Sequence, residues 1–420
     1  MRRPSKNSPP KLYPDSQRLI ALARETVNAA SRLEKRVWES SMDTVIQKLL
    51  NTRRQEALDA ALDHLFKVEI DAYDALLQTI EAASESCTME HEGVQYDVLL
   101  VAAPVLAWTR FAIPHGPIAA ETHQALTTQM LAHVLAPEAR LFIAPQLFAI
   151  DHLPYSHTQT AALTRHLGKV LFKGTAYLPL QTLQEIPPFL ADTRYLLAAV
   201  AAPVGQPLFC WQDAQDPLVA SDLRETALKA WQQQGGPNVA RMLPGCGIEL
   251  MLPESFFGAC RKADLQIRPA SIRAGVHYLT QTLNIEPSGL RAVVAPFGEM
   301  SSDAPVSEYR IGFATGDSND IIYGVVWPLY GQEDAGDNEA GEMPDGIGAA
   351  GLSAGVRQTA IEQIVALLEQ HGVACDKRHS ERFPLEYCDD CGAPLFADAA
   401  GELVHAEMPE DAPQDVVRLH

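Results

Sequence analysis

The sequence predicts an α/β protein with three additions. These are a helical arm at the N-terminus, a duplication within the body and a zinc-ribbon-like tail. Three observations carry this reading. Apolar residues between 15 and 86 recur at spacings of three and four, which is the period of a helix with one buried face. The body then changes to short continuous apolar runs, as in strands covered on both faces, and one such run recurs about 99 residues later. Near the C-terminus two cysteines stand two residues apart and are followed by glycine.

In the arm, Leu19, Ile20, Ala23, Val27 and Ala30 form one stripe. Leu58, Leu62, Leu65 and Val68 form another, and Tyr73, Leu76, Leu77 and Ile80 a third. Three or four helices fit, with a break near Asn51-Thr52. Residues 1–14, rich in Pro and Lys, are expected to stay outside them. Residues 1–56 hold 12 Lys or Arg against 6 Asp or Glu, while the remaining 364 hold 21 against 47. This suggests a basic helical surface set against an acidic body. A nucleic-acid arm is the weaker reading, because no aromatic-interleaved basic motif accompanies the charge.

The first body strand is Val98-Leu99-Leu100-Val101-Ala102, ending at Ala103-Pro104-Val105. Its echo is Leu196-Leu197-Ala198-Ala199-Val200, ending at Ala202-Pro203-Val204. Trp108 is answered by Trp211, and Gly116-Pro117-Ile118 by Asp216-Pro217-Leu218. Leu141 to Pro145 followed by Phe148 is answered by Leu250 to Pro253 followed by Phe256. Several matches in the same order imply an internal duplication. Each copy reads as strand, long loop, helix, strand and further helix, for which parallel pairing is the default. A third strand end, Val293-Val294-Ala295-Pro296, has nothing matching after it.

A hairpin follows, with Tyr309, Ile311 and Phe313 alternating on one arm, a turn over 316–320 and a return from Ile321 to Trp327. Residues 331–346 hold six acids and no base, which reads as a solvated loop without calcium-loop spacing. A helix from about Val356 to Gln370 stops at Gly372. The expected units are therefore 1–90, 91–190, 191–298, 299–372 and 373–420.

The strongest chemical signal is Cys388-Asp389-Asp390-Cys391-Gly392-Ala393-Pro394-Leu395-Phe396. Such a turn aims two thiolates at one ion about 2.3 Å away. A structural zinc needs four ligands. Cys375 and His379 with the cysteine pair would give a Cys3His site within 17 residues, with His405 as the alternative ligand. A metal-free ribbon, a redox dithiol and a site completed by a second subunit stay open. This tail resembles the zinc-ribbon endings of bacterial proteins. The chain is similar to an uncharacterised proteobacterial family that carries this Cys-Asp-Asp-Cys-Gly-Ala-Pro-Leu-Phe element, a resemblance that implies no activity.

Much else is excluded. A net charge of −20 disfavours general nucleic-acid binding. No apolar run reaches the length of about 18 that a membrane span needs. Arg2-Arg3 lacks the apolar stretch of a secretion signal, so the sequence reads as cytoplasmic with reduced thiols. Gly351-Leu352-Ser353-Ala354-Gly355 matches a nucleophile elbow but follows an acidic loop instead of a strand. No P-loop or dinucleotide fingerprint is present. If a ligand site exists, strand ends place it in a cleft between the two copies. Trp108, Arg110 and His115 would come from one copy, and Trp211, Asp213 and Asp216 from the other. The sequence thus predicts a binding or assembly protein with a structural zinc and a protein partner, a second copy of the chain being one candidate. An enzyme of unfamiliar type in that cleft is the alternative, and a nucleic-acid-associated factor the second.

Overall fold

The computed structural model describes residues 12–177, 190–214, 216–300, 305–316, 318–330 and 359–409. The first eleven residues, the acidic segment 331–346 and the Gly351–Gly355 motif lie outside these. Four helices open the chain: α1 (Pro14–Asn28), α2 (Arg32–Asn51), α3 (Gln55–Val68) and α4 (Ile70–Glu85). Pro14 starts α1, where its missing N–H costs nothing. Ser31 caps α2 by accepting from the Glu34 N–H. The apolar stripes meet in one core with Leu19, Ile46, Leu58, Leu65 and Leu76 at its centre.

This arm is fastened to the body. The Thr164 hydroxyl donates to the Ser84 carbonyl at 2.9 Å, and Arg261 pairs with Glu81 at 2.6 Å. In that pair the body supplies the base and the arm the acid. Four of the twelve bases in residues 1–56 (Arg2, Arg3, Lys6 and Lys11) fall outside the described residues.

The first sheet comprises β1 (Ser86–His91), β2 (Val94–Trp108), β3 (Gly116–Pro117), β4 (Arg140–Ala149), β5 (Ala191–Pro203), β6 (Gly247–Leu250) and β7 (Glu254–Ser255). Between them run α5 (Ala120–His133), α6 (His157–Lys173) and α7 (Pro217–Met242), and α8 (Phe256–Leu283) follows. Glu92 and Gly93, both with positive φ, close the β1–β2 hairpin tightly.

Every pairing in this sheet is antiparallel, contrary to the parallel default. The parallel default follows from the alternation of strands with helices, which holds here without fixing the direction of neighbouring strands. The strands are buried on both faces because helices cover both faces whatever the strand direction. Val101, Ala103, Val105, Leu196, Ala198 and Val200 meet α5 and α7. Tyr96, Val98, Leu100, Tyr195, Leu197 and Ala199 meet α6 and α8.

The crossovers expected from the sequence do exist, but they interlock. β2 and β4 run in the same direction with β5 between them, and β5 and β6 do so with β2 between them. The resulting order, β4-β5-β2-β6, is that of a split β-α-β pair. Leu100 faces Ala199 across the central pair. These two residues are as far apart in sequence as Pro104 and Pro203, so matching positions meet where a twofold axis through the sheet would pass.

The second sheet has β8 (Leu290–Phe297), β9 (Glu308–Thr315), β10 (Tyr323–Pro328) and β11 (Ala374–Arg378) in the order β10-β9-β8-β11. The expected 309–327 hairpin is β9 and β10. One face is covered by the second half of α8, beyond Pro269, and by α9 (Ala360–Gln370), which begins with a Thr359–Glu362 capping box. β8 thus pairs with β9 across the expected 298/299 boundary, and with β11 across the 372/373 boundary. The closing ribbon is β12 (Phe396–Ala397) with β13 (Leu403–Val404). Among the described residues no helix is long and apolar enough to cross a membrane.

Candidate metal centre

The knuckle is built by backbone geometry. Gly392 has φ +73°, a left-handed conformation that side chains disfavour. Its N–H donates to the Cys388 carbonyl at 2.8 Å, and the Cys388 N–H donates to the Ala393 carbonyl at 2.8 Å. Tyr387 bridges to Pro394, which closes the loop. The turn then feeds β12. β13 returns and delivers His405, one residue beyond its end.

Cys388, Cys391 and His405 each offer a donor atom, and all three lie within 4.8 Å of one another. The His405 Nε2 stands 3.2 Å from the Cys391 sulfur. Donors around a tetrahedral zinc sit roughly 3.5–3.8 Å apart, so small movements would seat an ion among them. The backbone N–H groups of Cys391 and Asp390 point at the Cys388 sulfur and hold its thiol below the usual range. The other ring nitrogen of His405, Nδ1, lies 3.4 Å from the Glu407 carboxylate. That approach is an ion-pair distance, and Nδ1 makes no hydrogen bond among the described residues. This donor set can hold a metal ion.

Of the sequence-predicted ligands, the alternative, His405, joins the cysteine pair. Cys375 and His379 are not in the cluster. Cys375 lies in β11, packed against the core between the second sheet and its helices. His379 is buried, and its Nε2 donates to the Asp398 carbonyl at 2.8 Å. Its ring stands edge-on to Phe383 at 5.3 Å. Asp398 in turn accepts from the N–H groups of Ala400 and Glu402, which shapes the β12–β13 turn. His379 therefore clamps the ribbon.

Sequence reasoning missed what holds the knuckle down. Arg310 in β9 is 1% exposed. Its Nη1 donates to the carbonyls of Glu386 and Leu395, at 2.7 and 2.6 Å, on the two sides of the turn. Its Nε donates to Glu308, and its guanidinium lies over the rings of Phe297 and Tyr387. The signal was present. Tyr309, Ile311 and Phe313 share one face, which puts Arg310, Gly312 and Ala314 on the other. The tail covers that second face, with Phe396 seated directly on Gly324 of β10.

The family model described as Protein of unknown function (DUF2863) matches residues 4–419. The chain belongs to that family. No curated protein and no solved structure matches it.

Of the six cleft candidates, His115 lines a small cavity that Arg241 and Met242 of the second expected unit border from the other side, and the other five do not line it. Antiparallel pairing sends the ends of β2 and β5 to opposite ends of the sheet, Trp108 facing Ala191 and Pro203 facing Tyr96. The Trp108 ring closes on Gly247 and carries Arg273 above it at 4.4 Å. Trp211 is buried and stacked on Phe209 at 4.7 Å. Asp216 caps α7 by accepting from the Leu218 N–H, and Asp213 ends a single 3-10 turn. Arg110 lies over Phe111. His115 meets His152 edge to face at 4.8 Å beside a cavity of about 210 Å³. Burial, reinforced by Arg194, lowers the pKa of His115. Burial, with His115 and Arg194 adding to it, does the same for His152.

Proposed function

We propose that this chain is a zinc-binding protein of the cytoplasm that acts by binding a protein partner, with the zinc fixing the tail in its docked shape. The observation that carries the reading is the convergence of Cys388, Cys391 and His405 on one small volume. The donors come from the knuckle turn and from the chain just after β13, so an ion between them would tie these two segments together. The choice of zinc rests on donor chemistry. Two thiolates and an imidazole suit a borderline-soft dication that prefers tetrahedral sites. The cytoplasm fits a site that works only while its thiols stay reduced. A protein partner is supported by the exposed apolar residues Leu218 and Val219 at the start of α7 and Leu33 and Val37 on α2. Elemental analysis of protein purified without chelator tests the zinc. About one zinc per chain is the expected result, and metal-free protein overturns it.

A further inference from the structure

We propose that the metal centre keeps one coordination position for a neutral nitrogen donor from outside the chain, an imidazole ring. The inference rests on the metal-binding reading above. Among the described residues the donor cluster has three members, where a closed tetrahedral site would have four. Cys391 is exposed, so the ion would be reachable from solvent.

The surroundings select the incoming ligand. Asp389 and Asp390 lie between the two cysteines and are exposed, and Glu407 stands beside His405. The cation beneath the knuckle, Arg310, is already matched by Glu308. A dication there would face two thiolates and three carboxylates. An anion approaching that position meets repulsion over distances shorter than the screening length, about 8–10 Å at ordinary salt. A neutral imidazole meets none, and it is a good ligand for the same metals. The ring can be a free molecule or a histidine of a second copy of this chain.

The full-length chain loaded with cobalt(II) tests this through its visible absorption, which changes when a ligand of the ion changes. Imidazole should shift the spectrum saturably, and azide should bind about tenfold more weakly at low salt. D389N/D390N should narrow that difference, because it removes the repulsion and leaves the donors in place. A cobalt-loaded spectrum that ignores imidazole overturns the proposal, since the site is then closed by four ligands of the chain. Azide binding more tightly than imidazole overturns it as well. A chain that takes up neither cobalt nor zinc removes the metal reading itself, which is a different result. Sedimentation separates the two sources of the ring. A histidine from a second copy gives a metal-dependent dimer that imidazole dissociates, and a small-molecule ligand leaves the mass unchanged.

Discussion

Arg310 donates to the carbonyl of Leu395 at 2.6 Å, and through this bond a strand of the second sheet holds the far side of a metal knuckle 85 residues away in sequence. The same nitrogen holds the near side through Glu386. One buried guanidinium thus sets the width of the loop that presents Cys388 and Cys391. Its charge is matched by Glu308, and it packs against the rings of Phe297 and Tyr387, buried from water.

Arg310→Met should therefore loosen the tail and weaken metal binding together. It strands the Glu308 carboxylate and two carbonyls, a loss of about 3 kcal/mol for a buried charged hydrogen-bonding group. Metal affinity should fall by roughly 10-fold or more, as for other residues that position ligands from behind. Arg310→Lys should fall between, because one ammonium cannot reproduce in fixed geometry both the Nη1 bonds to the two carbonyls and the Nε bond to Glu308. Competition against a chromophoric chelator measures the affinity and urea denaturation the stability. Unchanged affinity in a folded Arg310→Met protein would remove the link.

The ligand set is separable by single substitutions. Cys388→Ser, Cys391→Ser and His405→Ala should each lower the bound metal well below one per chain. Cys375→Ala should keep full occupancy, since its thiol belongs to the core beside β11. His379→Ala should keep the ligands but lose the clamp on Asp398, so metal is retained while the ribbon exchanges its amide hydrogens faster. Metal lost from Cys375→Ala would restore the Cys3His set that the spacing first suggests.

What the sequence shows and hides follows from the range of each interaction. The four arm helices, the β9–β10 hairpin and the knuckle depend on residues close together in the chain, and their patterns are readable. The direction of strand pairing is a long-range property. The runs around Val98 and Leu196 are apolar on both faces because α6 and α8 lie on one side and α5 and α7 on the other. No local signal says that each strand inserts into the other copy's crossover. His405 was visible only as an alternative because the β12–β13 return, four paired residues in all, brings it back to the cysteines. Strand alternation places Arg310 on the face opposite Tyr309, Ile311 and Phe313, but nothing local names its partners, which lie 76 and 85 residues away.

The joint between arm and body should respond to pH. Glu85, at the end of α4, accepts the Phe257 N–H of α8 at 2.9 Å. Burial outweighs that bond and pushes its carboxyl from 4.5 up to about 7, with Glu81 reinforcing the shift and Ser255 and Arg261 opposing it. Asp264, further along α8, moves the same way, to about 6, because of burial. A carboxyl whose folded pKa lies above its unfolded one binds its proton more tightly in the folded state. Its favourable contribution is full below about pH 4.5 and is lost as pH rises through about 7. Glu85→Gln keeps an acceptor for the Phe257 N–H and removes the charge. It should stabilise the protein at pH 8 by on the order of 2 kcal/mol and change little at pH 4.5. Parallel pH–stability curves for the two proteins would refute this.

The centre of the first sheet offers a test of its packing symmetry. Leu100 and Ala199 are directly opposed, fully buried, and on the face covered by α6 and α8. Opposed residues on one face of an antiparallel pair have Cβ atoms about 4.5–5.5 Å apart, so the two side chains draw on one shared volume. Leu100→Ala empties part of it and should cost about 3 kcal/mol. Ala199→Leu overfills it and should cost about 2 kcal/mol. The exchange of the two, L100A/A199L, restores the total volume and moves the leucine to the matching position of the other copy. If α6 and α8 cover that position equivalently, the double variant should recover at least about 1 kcal/mol relative to the sum of the singles. A double-mutant cycle in urea measures this coupling. Strict additivity would mean that the two residues occupy separate spaces and that the sequence repeat is not matched by equivalent packing across the central strands.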